Sequence, residues 1–169
     1  MACVVDGERV LQAVTAGLAD REAARPMRTD TLFWIASMTK PVTACAVMML
    51  LDEGKLELDA PVSAYLPEFS GLKTADGRPA VPTLRQMLTH TSGMAEPTQA
   101  EQLAARTLAD LMPHIAAKTA LFSPGARWQY SQSGMNALGR VVEVRSGMPF
   151  DRFLAERLFK PLDMRDTTF

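Results

Sequence analysis

An almost unbroken apolar segment of ten residues, Val42 to Leu51, constrains the fold more than any other part of the chain. Pro41 stands immediately before this segment and Gly54 shortly after it. Proline is tolerated in the first turn of a helix, where its missing N–H breaks no intrahelical bond, and glycine is favoured just past a helix end. The pattern therefore predicts a helix from Ser37 to Gly54 that is apolar nearly all round, and hence central and buried.

The composition limits the classes of protein to consider. A chain of 169 residues with 47% hydrophobic content fits one domain with a buried core. Its 18 Lys and Arg residues balance 19 Asp and Glu residues, so we expect no nucleic-acid partner. No apolar stretch approaches the roughly 20 residues that span a bilayer. The first residues lack the pattern of a secretory leader, which leaves cytoplasmic and periplasmic locations open.

The cysteine and histidine residues indicate structural roles. Cys3 and Cys45 are too few for a disulfide framework, and we predict that both are buried as small apolar side chains. His114 has no second ligand at metal-binding spacing, so no metal is expected. His90 is interpreted as a hydrogen-bonded structural residue beside the pocket rather than as a base.

Turn and cap signals divide the rest of the chain into short elements. Asp6-Gly7 predicts a hairpin between two β-rich runs. Thr83 and Gln86 have capping-box spacing and predict a short helix from Leu84 to about His90. Further helices are predicted over 99–117, with a kink or break at Pro113, over 133–145 with closure at Gly147, and over 149–159 before Pro161.

A serine and a lysine stand three residues apart at the start of the apolar helix. On a helix this spacing places Ser37 and Lys40 on one face, so the amine can reach the hydroxyl. The free N–H groups and positive dipole end of a helix N-terminus favour negative charge on the serine oxygen. An apolar setting, for which Phe33, Trp34, Ile35 and Val42 are candidates, would favour a neutral amine that can accept a proton. Taken alone, S-x-x-K is a weak motif, because it occurs by chance and a helix-capping serine beside a solvated lysine explains it equally well.

Five pieces of sequence support the motif, and they occur in a fixed order. They are "DTLFWIASMTKPVTA", "GKLELDAPVSAYLPEF", "TLRQMLTHTSGM", "FSPGARWQYSQSGMNALGRVVEVRSGMPF" and "RLFKPLDMRDTTF". Together these five segments resemble the serine β-lactamase-like family, which includes class C β-lactamases, carboxylesterases of similar fold and D-amino-acid-specific peptidases. The resemblance runs from about Asp6 to Phe169.

The resemblance implies roles for individual residues. Ser37 matches the acyl-accepting nucleophile, Lys40 its activating partner, and Tyr130 the tyrosine that shares proton transfer with both. Gln132 occupies a substrate-binding position where β-lactamases of this type usually have asparagine, and its longer side chain favours an esterase over a β-lactamase. We therefore expect a serine hydrolase, most simply a carboxylesterase acting through an acyl-enzyme on a small ester or amide. Such a hydrolase needs no metal and no cofactor. A β-lactamase or D-amino-acid peptidase is the alternative.

The resemblance also implies an α+β fold of the β-lactamase/transpeptidase type, with an antiparallel sheet flanked by helices. In this family the chain normally returns to further strands that carry a K-T-G or H-x-G triplet and one oxyanion-hole donor. We therefore expect a single partial domain over 1–169, with strands and a connection over about 1–35 and a mainly helical region over 36–169. A non-catalytic fragment or interaction module is a second reading, and an exposed sheet edge would allow homo-oligomers.

Overall fold

The computed structural model describes all 169 residues, which divide into two compact units, Met1–Ala36 and Ser37–Phe169. The first unit contains four short strands in two separate antiparallel pairs, the first with second and the third with fourth. In chain order they are β1 (Ala2–Val5), β2 (Val10–Val14), β3 (Leu18–Asp20) and β4 (Arg25–Pro26).

The predicted hairpin around Asp6-Gly7 is confirmed. The Asp6 carboxylate closes the turn by accepting hydrogen bonds from the N–H groups of Glu8 and Arg9, at 3.0 and 2.9 Å. Every residue of β1 and β2 is exposed, so both faces of this hairpin contact solvent. The sequence does not predict the pairing of β3 with β4. Strands of three and two residues are too short to show a readable alternation.

The second unit is helical. Its helices are α1 (Thr39–Asp52), α2 (Leu84–Leu88), α3 (Gln99–Ala104), α4 (Leu108–Ala116), α5 (Gln132–Ser146) and α6 (Phe150–Leu154). Helix α5 lies at the centre and packs against α1, α2, α4 and α6. Its residues Ala137, Leu138, Val141 and Val142 are fully buried. None of the helices combines the length and the apolar character that crossing a membrane requires.

Helix α1 is less buried than its sequence predicts. Thr43, Ala46, Val47 and Leu50 are buried, whereas Cys45 is exposed and Met48 is 40% exposed. Cys3 is exposed as well, so the prediction that both cysteines are buried is wrong. The reason at Cys45 is that α1 packs through one face onto the helical core and leaves its opposite face in solvent, although both faces are apolar.

Two cap predictions are confirmed and one break is placed differently. Thr83 and Gln86 form the expected reciprocal capping box at the start of α2. Gly147 closes α5 with a φ of 71°, a left-handed conformation that glycine adopts without a steric penalty. The stretch 99–117, however, breaks before Thr107 rather than at Pro113, which lies inside α4. Thr107 starts a new helix there because its side chain and that of Asp110 form a further capping box.

Candidate active site

Ser37 lies in a short 3₁₀ turn, Ala36–Met38, that leads directly into α1. The preceding residue, Ala36, has a φ of 46°, and the left-handed conformation costs a non-glycine residue roughly 1–2 kcal/mol. No side chain caps the N-terminus of α1. The nucleophile candidate is therefore an exposed serine on a strained turn, beside helix N–H groups that no side chain satisfies.

Lys40 reaches Ser37 as the three-residue spacing predicts. Its Nζ donates a hydrogen bond to Ser37 Oγ over 3.3 Å. Ser37 is exposed and Lys40 is half-buried. Of the apolar residues expected to surround this pair, Phe33, Trp34 and Ile35 are 55%, 95% and 38% exposed. Val42 is half-buried and packs against the helical core. The contact between Lys40 and Ser37 follows from their three-residue spacing.

Tyr130 completes a group of three side chains. The Lys40 Nζ lies 4.7 Å from the centroid of the Tyr130 ring, which is within the range of a cation–π interaction. The polar interaction of the phenol with Lys40, and secondarily with Ser37, lowers the pKa of Tyr130 below its ordinary value of 10.0. The pKa of Tyr130 is lowered although Tyr130 makes no hydrogen bond of regular geometry to Lys40 or Ser37. The structure therefore brings together Ser37, Lys40 and Tyr130, three of the four residues that the sequence singles out.

His90 supports the ring of Tyr130. The two rings are tilted by 36° with their centroids 4.7 Å apart, and Trp128 meets His90 edge-on at 6.2 Å. The N–H of Ser131 donates to His90 Nδ1 over 3.3 Å, which requires that nitrogen to be unprotonated. Burial lowers the pKa of His90 below 6.5, and the charge of Lys40 lowers it further. His90 thus packs as a neutral, hydrogen-bonded ring, in agreement with the structural role that the sequence predicts.

Gln132 is the fourth predicted residue and begins α5. Its side chain is exposed and is directed along the helix, where Nε2 donates to Asn136 Oδ1 over 3.0 Å. It makes no hydrogen bond to Ser37 or Lys40. The carboxamide oxygen stays available to a ligand, whereas one of its two N–H donors is already used within the helix.

Glu96 is a residue of this site that the sequence analysis did not identify. Its carboxylate accepts hydrogen bonds from the backbone N–H groups of Gln132 and Ser133 and from the hydroxyls of Ser131 and Ser133. Ser131 also caps α5 by accepting from Gly134 N–H over 3.1 Å. The two serines at the start of a helix signal a hydrogen-bonded N-terminus, but no pattern links them to a glutamate 35 residues earlier.

Comparison with known proteins identifies the family. The profile of the family described as Beta-lactamase matches residues 1–169. Esterase EstB from Burkholderia gladioli is 39% identical over 183 aligned residues, which cover 100% of this chain and 46% of that esterase. Because the profile matches the whole chain, the chain belongs to the β-lactamase family.

Solved structures agree with this assignment. EstCE1, a hydrolase with promiscuous acyltransferase activity, matches with a TM-score of 0.82 and 30% identity over 92% of this chain and 44% of that one. The octameric penicillin-binding protein homologue from Pyrococcus abyssi matches with a TM-score of 0.79 and 27% identity over 96% of this chain and 38% of that one. These matches confirm the predicted β-lactamase/transpeptidase-like α+β fold. The chain spans less than half the length of these three relatives.

Proposed function

We propose that the chain carries the nucleophile side of a serine hydrolase site that acts on small carboxylic esters. The observation that carries the proposal is the contact of 3.3 Å between Lys40 Nζ and Ser37 Oγ beneath the ring of Tyr130. A nucleophile with an adjacent proton acceptor and a third orienting group is the arrangement that acyl transfer requires.

The proposed reaction has two steps. Ser37 Oγ forms a bond to the acyl carbon while its proton passes to the Lys40–Tyr130 pair. The tetrahedral intermediate then breaks its bond to the leaving alcohol, which takes up that proton. In the second step water attacks the ester on Ser37, the pair accepts the water proton, and Ser37 recovers a proton as the acid leaves. The N–H of Ser37, in the 3₁₀ turn that precedes α1, is the donor that this chain would offer to the oxyanion.

Gln132 supports an ester rather than an amide as the substrate. An amide or β-lactam substrate presents both a carbonyl and a nitrogen, and gripping it calls for a freely oriented donor and acceptor. One donor of Gln132 is held by Asn136, which reduces what the side chain can offer. The name of one relative, esterase EstB, favours the same choice. The penicillin-binding protein homologue keeps β-lactams and D-peptides as the second candidate class.

Hydrolysis of three chromogenic substrates tests this proposal. They are p-nitrophenyl butyrate, nitrocefin and D-alanine p-nitroanilide, each measured with the chain and with Ser37→Ala. We expect turnover of the ester to exceed that of the other two and to vanish in Ser37→Ala. We expect Gln132→Asn, which restores the residue usual in β-lactamases, to raise the ratio of nitrocefin to ester turnover. A higher rate on nitrocefin or the anilide in the unmodified chain would assign it to the second class.

A non-catalytic role is the competing proposal. The chain matches 46% of esterase EstB, so groups contributed by the rest of such a protein can be required for turnover. In that case a folded chain would hydrolyse none of the three substrates. The exposed hairpin of β1 and β2 would then be a surface for self-association, since unpaired strand edges can pair with a second copy. Light scattering tests this: the mass should rise with concentration, and Leu11→Lys should reduce the rise.

A further inference from the structure

We propose that Glu96 is a positioning residue, which holds Tyr130 in place through the backbone of residues 131–133. The inference rests on the proposed function, because a fixed Tyr130 matters only if it exchanges protons with Ser37 and Lys40. Glu96 lies outside the five-segment resemblance and belongs to the loop between α2 and α3.

The contacts of Glu96 concentrate on three consecutive residues. Its Oε1 accepts from Gln132 N–H at 2.7 Å, from Ser133 N–H at 3.1 Å and from Ser131 Oγ at 3.1 Å. Its Oε2 accepts from Ser133 N–H at 3.0 Å and from Ser133 Oγ at 2.7 Å. Both oxygens of this one carboxylate thus accept hydrogen bonds from the segment that directly follows Tyr130. Because the acceptor is charged, each of these bonds is stronger than a bond to a neutral acceptor.

The same segment is fixed on its other side by His90. The N–H of Ser131 donates to His90 Nδ1, and the His90 ring packs against the Tyr130 ring. The peptide after Tyr130 therefore lies between a neutral imidazole and a carboxylate. Neither group contacts Ser37 through a hydrogen bond, so Glu96 acts on the site by restricting where the Tyr130 backbone can go.

A positioning role and a purely electrostatic role of Glu96 predict opposite changes in the pKa of Tyr130. If Glu96 acts only as a nearby negative charge, neutralising it makes the Tyr130 phenolate easier to form and lowers the pKa of Tyr130. If Glu96 positions the tyrosine, losing it lets the phenol move away from Lys40, and the pKa of Tyr130 rises toward its ordinary value. The direction of the change therefore separates the two roles.

The experiment uses the full chain labelled with ¹³Cζ-tyrosine and titrated to about pH 11, above the ordinary tyrosine pKa of about 10. The chain has two tyrosines, so Tyr130→Phe assigns both signals and Tyr65 serves as an internal reference. The variants are Glu96→Gln, which removes the charge, and Glu96→Asp, which keeps the charge but shortens the reach. Glu101→Gln is the matched control, because the Glu101 carboxylate accepts hydrogen bonds from the N–H and hydroxyl of Thr98 at the start of a different helix, α3.

We expect the Tyr130 titration to move upward in both Glu96 variants and to stay unchanged in Glu101→Gln. A downward shift in Glu96→Gln with no change in Glu96→Asp would overturn the proposal in favour of a charge effect, and no shift in either variant would also overturn it. If Glu96→Gln does not fold, Glu96→Asp alone decides. A fluorophosphonate adduct on the unmodified chain is measured in parallel, because its absence would count against the proposed function without affecting the result for Glu96.

Discussion

The two helix starts that form the candidate site are built in opposite ways. At α1 the residue before the helix, Met38, is 68% exposed and no side chain satisfies the first N–H groups. At α5 the preceding residue, Ser131, is buried, caps Gly134 and shares the carboxylate of Glu96 with Ser133. The start of α1 has no side-chain cap, whereas a serine and a glutamate cap the start of α5.

The two helix termini are suited to different roles in the proposed reaction. An oxyanion that develops near Ser37 needs N–H groups that are free to bind it, so a side-chain cap there would compete with the substrate. Tyr130 needs a fixed position relative to Lys40, so rigid support at α5 is useful. The uncapped start of α1 is suited to stabilising a negative charge on the substrate, and the capped start of α5 is suited to holding the Tyr130 side chain in place.

The loop that supports α5 should be the part most sensitive to substitution. Gly93 has a φ of 73°, and a Cβ atom there would collide with the backbone oxygen of Phe122. We expect Gly93→Ala to lower the free energy of unfolding by about 3 kcal/mol or more, from backbone strain and overpacking together. Gly77→Ala is the control, because Gly77 has a φ of 80° with open space around it, so only the strain of about 1–2 kcal/mol applies. Equal losses in urea denaturation would show that the collision has no effect.

Removing the cap of α5 should lower the free energy of unfolding more than a substitution at the uncapped start of α1. Ser131→Ala deletes the hydroxyl that accepts from Gly134 and donates to Glu96, and we expect a loss of about 1–2 kcal/mol in unfolding free energy. Met38→Ala, at an exposed position without a capping bond, should change stability by less than about 0.5 kcal/mol. Similar losses of unfolding free energy in the two variants would show that the two termini do not differ in their contribution to stability.

The charge of Lys40, at the start of α1, should lower the pKa values of Tyr130 and His90, which lie beside the start of α5. In Lys40→Met the side-chain volume is roughly kept but the charge is lost, so the pKa of Tyr130 should rise toward 10.0 and that of His90 should also rise. Titration of the ¹³C-labelled tyrosine and histidine signals measures both. The control is Lys55→Met, a lysine that pairs with Glu53 instead. If the two signals titrate identically in the Lys40 variant and the unmodified chain, Lys40 does not couple the termini.

The smallest expected effect is a pH dependence of stability caused by His90. Its pKa is lowered on folding, so the unfolded chain binds more protons between the lowered pKa and about 6.5. The free energy of unfolding should therefore fall as the pH decreases from about 6.5 through that window. His90→Asn, which tolerates the φ of 57° at this position, should reduce this slope. An unchanged slope would contradict the neutral state assigned to His90.

The sequence predicts the parts of the site that depend on local spacing. Ser37 and Lys40 meet because they are three residues apart, one in the 3₁₀ turn and the other in the first turn of α1. The cap of α2 follows from Thr83 and Gln86. The exposure of Cys45 was mispredicted because an apolar face does not reveal what packs against it. Glu96 was missed because its contacts with residues 131–133 join distant loops, and a single sequence carries no signal of such pairing.

Intact-mass analysis after incubation with a fluorophosphonate tests most directly whether Ser37 is an activated nucleophile. We expect one adduct per chain, absent in Ser37→Ala and formed more slowly in Lys40→Ala. Circular dichroism of each variant checks that it is folded before the comparison is made. If the folded chain forms no adduct, or if the adduct persists in Ser37→Ala, Ser37 is not an activated nucleophile.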